Sequence, residues 1–385
     1  MTACIVGWAH SRFGKLEGED IESLIVRAAT DAIADASLTP ADIDEVFIGT
    51  FGVFIRQEFA SSLALQVDPS LRFKPSTKVE NACATGSAAI HQGMNAIAAR
   101  RARHVLVVGA EKMTETPNVA DVLIRAAYLK EEGDIDGGFA GVFGRIAQAY
   151  FQRYGDKSDA LARIAAKNHK NGASNKLAQI QKDLGYEFCR TVGDKNPLVA
   201  GPLRRTDCSL VSDGAAAVVL TDVETALRSK KAVVFRAAEH VNDFLPMSKR
   251  DIVAFEGPAL AWKKAMAGAG VTLDDLSFAE VHDCFTIAEL MVYEAIGLTA
   301  PGEGARAIEE GWTEKTGKLP INPSGGLKAK GHPIGATGVS MHVLAAMQLT
   351  GTAGGIQVKD ADLAGVFNMG GAAVANYASI LERLR

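Results

Sequence analysis

Two stretches of the chain read alike. The first, ESLIVRAATDAIADASLTPADIDEVFIGTF, begins at Glu22, and the second, PALAWKKAMAGAGVTLDDLSFAEVHDCF, begins at Pro258. Each runs from an Ala-rich helical pattern through an L/V-T-x-x-D-I/L loop into a β-branched or aromatic run. A second parallel joins ATGSAAIHQGMNAIAARRARHVLVVGAEKM to GATGVSMHVLAAMQLTGTAGGIQVKDADLAGVFNMGG, again helix and then strand. A unit repeated this far apart is a duplicated domain, not a solenoid. Helices alternating with strands point to an α/β architecture, its sheets covered by helices. Residues 115–195 break the pattern with charge, glycine and amphipathic helix, as in GRIAQAYFQRYGDKSDALARIAAKNHKNGASNK. They read as an inserted loop domain, of the kind that often carries substrate contacts. Residues 1–114 and 196–225 then form the first half, and residues 226–385 the second.

Composition narrows the function classes. The 385 residues are 48% hydrophobic and 22% charged, as in a globular protein, and are too many for one ordinary domain. A formal net charge of -4 gives no reason to expect nucleic acid or an anionic membrane as partner. No apolar run reaches the about 18 residues of a spanning helix, and the N-terminus lacks a signal-peptide pattern. Cys4, Cys83, Cys189, Cys208 and Cys284 are odd in number and widely spread. None forms a C-x-x-C pair, so neither a zinc ribbon nor a dithiol motif is expected, and no metal is assigned. A cytoplasmic protein with reduced thiols is the expectation.

Four segments carry candidate chemistry. In TKVENACATGSAAIHQGMNAIAA, Cys83 sits where an extended run gives way to a helix. A helix N-terminus favours a thiolate there. Small neighbours leave room for a substrate, although a lone cysteine also serves as core filling. In NPSGGLKAKGHPIGATG, Gly331 and Pro333 hold His332 in a glycine-rich loop, where a neutral imidazole suits a general base for a thiol. The P-loop order ending in Gly-Lys-Ser/Thr is absent. In HDCF, His282 and Cys284 are two apart after a strand-like run, so both reach one face at the end where α/β folds place ligands. A satisfied histidine beside a core cysteine is the plainer reading of that tetrapeptide alone. In GVFNMGGAAVANY, the turn after Asn368 aims backbone N–H groups at a developing oxyanion or merely links two strands. His10, His91, His104, His169, His240 and His342 fall on helical, polar or boundary positions, and Cys4, Cys189 and Cys208 lack a catalytic context.

Together, NACATGSAA, HDCF, GHPIGATG and NMGG resemble the thiolase family over nearly the whole chain, in order. HDCF is similar to the sterol-carrier-protein-2 branch. Ordinary thiolases carry Asn-Glu-Ala-Phe there and place a second cysteine in a Cys-x-Gly turn near the C-terminus, where this chain has Asn368. The resemblance implies two α/β halves with mixed five-stranded sheets, stacked α-β-α-β-α, plus the inserted loop domain. It implies acyl transfer: His332 deprotonates Cys83, whose thiolate takes an acyl group from an acyl-CoA. Cys284 then removes a proton from acetyl-CoA, and the enolate attacks the acyl-enzyme to give a 3-oxoacyl-CoA; thiolysis is the reverse. One oxyanion hole falls to His332 with His282 or a water that His282 holds, the other to the N–H groups of Cys83 and Gly370. CoA is expected along the insertion and Ser324, Gly325 and Gly326, as substrate, with no permanently bound cofactor. A homodimer or a pair of dimers is implied, and a protein partner stays open. Three rivals remain. A β-ketoacyl synthase would need a histidine in the NMGG loop. A non-catalytic lipid-binding scaffold leaves the four reactive residues without a task. A thiolase-like carbon–carbon lyase lacks the nucleophilic cysteine.

Overall fold

The computed structural model describes residues 3–55 and 57–385; Met1, Thr2 and Arg56, within the first expected half, lie outside the described residues. The strands are β1 (Ala3–His10), β2 (Glu45–Gly49), β3 (Ser76–Val79), β4 (His104–Glu111), β5 (Leu198–Ala200), β6 (Leu203–Arg204), β7 (Gly214–Asp222), β8 (Val233–Asn242), β9 (Phe278–Val281), β10 (Leu363–Gly370) and β11 (Ala375–Arg383). The principal helices are α1 (Ile21–Asp35), α2 (Thr85–Ala98), α3 (Gly138–Tyr154), α4 (Ser158–Ala173), α5 (Glu256–Ala269), α6 (Thr286–Ala295), α7 (Gly326–Lys330) and α8 (Ile334–Leu349).

The duplication is visible in backbone detail. After α1, the amide of Thr39 donates to the Asp42 carboxylate at 2.8 Å before β2 begins. After α5, the amide of Thr272 donates to Asp275 at 2.7 Å before β9 begins. The T-x-x-D pattern is therefore a capping box that turns the chain from outer helix into strand in both halves.

Nine strands form a mixed sheet in the order β3-β2-β4-β7-β1-β8-β11-β10-β9. The first half supplies β3, β2, β4, β7 and β1; the second supplies β8, β11, β10 and β9. They meet where Cys4 pairs with Val234 and Ile5 with Val233. Two separate five-stranded sheets were expected, and the second half has four strands plus one isolated bridge, Ala279 to Ile321. Prolines explain the shortfall: Pro320 and Pro323 bracket the bridge, and neither has an N–H to extend a ladder. Among the described residues, 115–195 adds no strand to this sheet and is built on α3 and α4.

Layering follows from hydrophobic pattern. Helix α8 is buried along its whole length except Met347, as suits a helix apolar all round. It packs on α2 and touches β4 and β7 of the first half and β10 of the second. Outside, α1 covers β1, β7 and β4, and α5 covers β8 and β11. Backbones come unusually close between α2 and α8. A Cβ on Gly86 would lie 2.6 Å from the amide nitrogen of Val339 and 3.0 Å from the carbonyl oxygen of Gly335. Those atoms are main chain and cannot turn aside. Gly86→Ala should therefore cost about 1–3 kcal/mol, read as a lower denaturation midpoint, and should also move the N-terminal ends of both helices.

Candidate active site

Cys83 lies in a tight turn at the C-terminal side of β3, two residues before α2. The turn is fixed by Thr85, whose hydroxyl accepts from the Asn81 amide at 2.8 Å and donates to the Ala82 carbonyl at 2.6 Å. Ala82 pays for the bend with a φ of 47°, in the left-handed region. His332 sits between α7 and α8. Its amide donates to Ser212 Oγ at 2.9 Å, and its Nδ1 lies 2.6 Å from Thr337 Oγ1. The Thr337 hydroxyl gives its proton to the Pro333 carbonyl at 2.9 Å. It must then accept from His332, which places the ring proton on Nδ1 and leaves a lone pair on Nε2. His282 and Cys284 follow β9 directly, in the loop leading to α6.

These segments converge. The sulfur of Cys83 and one ring nitrogen each of His282 and His332 lie within 4.8 Å of one another. The two imidazole centroids are 5.2 Å apart and nearly perpendicular, at 83°. Cys284 is near enough that charge on Cys83 raises its pKa. All four side chains are buried, with 6% exposure at His332 the largest value. Among the described residues, Nε2 of neither histidine has a partner, so each is available to a substrate. Folding has thus made a cluster that the linear spacing did not predict, and its three donors resemble three ligands of zinc. Among the described residues, no fourth His, Cys, Asp or Glu joins the group.

Burial decides the charge states. Both imidazoles are held well below the usual histidine range, His332 at about 3, by burial first; Lys330 adds to this at His332, and the neighbouring His332 and then Lys330 add to it at His282. Cys83 is pushed up to about 12 by burial, although the amides of Gly371 and of Cys83 itself oppose the rise. Burial thus opposes the thiolate that the α2 N-terminus favours. Cys284 is raised well above 9, by burial and then by Cys83. The resting centre is a neutral thiol beside neutral imidazoles.

A polar network holds HDCF against the glycine-rich loop, and sequence reasoning missed it. Asp283 accepts from the amides of Leu327 at 2.6 Å and Lys328 at 3.2 Å, and from Asn168 of α4 at 2.8 Å. Glu289 accepts from Asn168 at 2.6 Å and Asn322 at 2.9 Å and is paired with Lys167. Phe285 stacks on Phe143 of α3 at 4.5 Å. The signal was present, since Asp283 lies inside HDCF, but its partners are remote in sequence. Ser324, Gly325 and Gly326, expected along CoA, are buried in this network. Ser324 Oγ donates to Glu280 at 2.6 Å, and a Cβ on Gly326 would lie 2.2 Å from Asp283. Their task is to let the loop dock on buried carboxylates. At the NMGG turn, the Gly371 amide favours charge on the Cys83 sulfur. Gly370 itself packs on the nucleophile turn, where a Cβ would lie 2.4 Å from the Asn81 carbonyl.

Comparison with known families decides the kinship. Residues 3–185 match the description "Thiolase, N-terminal domain", and residues 238–383 match "Thiolase C-terminal domain-like". The chain belongs to the thiolase family. Among its relatives, the acetyl-CoA acetyltransferase of Methanothermobacter thermautotrophicus is 35% identical, over 95% of this chain and 96% of that protein. Human sterol carrier protein 2 is 33% identical over 95% of this chain and 69% of its own length. In solved structures the same thiolase fold recurs in the Ltp2-ChsH2(DUF35) aldolase, with a TM-score of 0.83 and 22% identity, covering 100% of this chain and 98% of that one.

The charge states of this thiolase site are testable. Inactivation by iodoacetamide should accelerate steadily with pH through the alkaline range, because a thiol near 12 has no thiolate plateau below it. A plateau reached by neutral pH would instead signal a thiolate–imidazolium pair.

Proposed function

We propose that the protein is a thiolase-type acyltransferase that interconverts acyl-CoA plus acetyl-CoA with 3-oxoacyl-CoA plus CoA through an acyl group on Cys83. The observation that supports this reading most is the buried convergence of the Cys83 sulfur with His282 and His332, beside a second thiol. The relatives named acetyl-CoA acetyltransferase support the same reaction.

The chemistry runs on neutral groups. His332 Nε2 takes the Cys83 proton as the sulfur attacks the thioester, so no stable thiolate is required beforehand. The tetrahedral oxyanion is met by the new His332 Nε2–H and by His282. When it collapses, the leaving CoA thiolate takes the proton of Cys284. That leaves a Cys284 thiolate balanced by the His332 imidazolium. A thiolate whose pKa is raised well above 9 is a strong base, which suits a weakly acidic carbon. It removes a proton from the methyl group of acetyl-CoA, and the enolate attacks the acyl-Cys83 carbonyl. The second oxyanion is met by the N–H of Cys83 and that of the NMGG turn, Gly370 or Gly371. Cys83 leaves as a thiolate and recovers its proton from His332, so both thiols end protonated.

Other features fit a CoA enzyme. All five cysteines are free, as suits a reducing cytoplasm. No helix of the described residues is long and apolar enough to cross a membrane. Among the described residues, strand β3 pairs on one side only, with β2, and its open edge suits pairing with a second copy. The neighbouring aldolase structure is described as a complex with a DUF35 protein, and a partner of that kind is the second reading of the assembly. A lyase reading would leave Cys83 without a task.

Purified protein mixed with acetoacetyl-CoA and CoA should consume the 3-oxothioester, and Cys83→Ala should not. Silence on acetoacetyl-CoA and on longer and branched 3-oxoacyl-CoAs would remove the thiolase reading. Cys284→Ala should still take an acyl group on Cys83 but should lose exchange of the acetyl-CoA methyl protons with deuterated water. Exchange at the wild-type rate would take the base role from Cys284.

A further inference from the structure

The thiolase reading puts His282 at the substrate oxygen, where only a ring N–H is of use. We infer that Asn368 is the positioning residue that keeps the proton of His282 on Nε2, and that the carbonyl of Cys83 dictates how Asn368 is turned. The functional consequence rests on the thiolase reading; the proton position does not.

Asn368 is fully buried at the end of β10. Its Nδ2 lies 3.1 Å from the Cys83 carbonyl oxygen and 2.9 Å from His282 Nδ1. Its Oδ1 accepts from Ser87 Oγ at 2.8 Å. A carbonyl oxygen has lone pairs and no proton, so the group facing Cys83 must be the NH2. Turning the amide over would set two acceptors against each other and strand a buried carbonyl without a donor. With the NH2 fixed, one hydrogen goes to Cys83 and the other to His282. Nδ1 of His282 must then accept, and a neutral imidazole that accepts at Nδ1 carries its proton on Nε2. Burial, His332 and Lys330 together keep this ring neutral, so a doubly protonated ring does not compete.

Space for the bridge comes from the second glycine of GATG. A Cβ on Gly338 would lie 2.6 Å from Asn368 Oδ1 and 2.6 Å from Ser87 Oγ. The helix that follows His332 therefore leaves room for the amide that orients His282.

The two histidines of the cluster thus hold opposite tautomers. Thr337 leaves His332 with a lone pair on Nε2, which suits a base for the thiol. Asn368 leaves His282 with a hydrogen on Nε2, which suits a donor to an oxyanion. The same assignment sets the cluster against a metal, because His282 has no lone pair to offer at Nε2. It also gives Asn368 a purpose where ordinary thiolases carry their second cysteine: the base has moved to Cys284, and the vacated position orients the donor.

The test is the nitrogen spectrum of protein labelled with 15N-histidine, with His282 signals assigned by their loss in His282→Gln. Wild type should show His282 protonated at Nε2 and bare at Nδ1. A proton on Nδ1 of the wild-type ring overturns the inference and needs no variant to be folded. In Asn368→Leu, which offers Nδ1 no donor, His282 should lose its exclusive preference for the Nε2 proton; a ring unchanged from wild type would contradict Asn368 as its cause. In Asn368→Ala, kcat for thiolysis should fall by roughly tenfold or more while KM changes little, as expected when a donor to the oxyanion loses its fixed orientation. Unaltered kcat in that variant would end its role in positioning. A wild-type Nε2–H in a protein inert toward every 3-oxoacyl-CoA would sink the thiolase reading and leave the proton assignment standing.

Discussion

The structure depends on the close approach of two central helices, one from each duplicated half. Gly86 of α2 meets the backbone of α8 at a distance that admits no side chain. Cys83 lies two residues before α2 and His332 two residues before α8, so the contact that joins the halves also sets the Cys83 thiol beside the His332 imidazole. HDCF reaches the same point from β9, held by Asp283 to the amides that open α7. Each reactive group is therefore placed by the end of a regular element, and none depends on a long free loop for its position.

Burial then fixes the chemistry. Burial of both thiols and both imidazoles disfavours charge on them at rest. The centre stores no ion pair before substrate arrives. In the proposed reaction, charge forms on the substrate oxygen and is met by donors that the fold holds beside it, which is where electrostatic preorganisation has most effect. The cost is carried by a buried network of Lys167, Asn168, Glu280, Asp283, Glu289 and Asn322, where the carboxylates are bound by amides or a lysine.

The duplication was legible because T-x-x-D writes the same capping box twice, and local hydrogen bonds obey local sequence. The convergence of Cys83, His282 and His332 was legible through motifs whose order implies a fold. Three things were not. The ionisation of Cys83 depends on how deeply three remote segments cover it. The place of Ser324, Gly325 and Gly326 depends on carboxylates far away in the chain, Glu280 and Asp283, on which this glycine-rich stretch docks. The bridge at Ile321 failed to become a fifth strand because two prolines interrupt it, a detail that the repeat pattern overrode in the reading.

The central claim is that Cys83 carries the acyl group and Cys284 does not. The most direct measurement is peptide mass spectrometry on protein mixed with acetyl-CoA and quenched in acid. The account predicts an acetyl group on the peptide containing Cys83 and none on the peptide containing Cys284. Acetylation of Cys284 alone, or of neither cysteine, would contradict it.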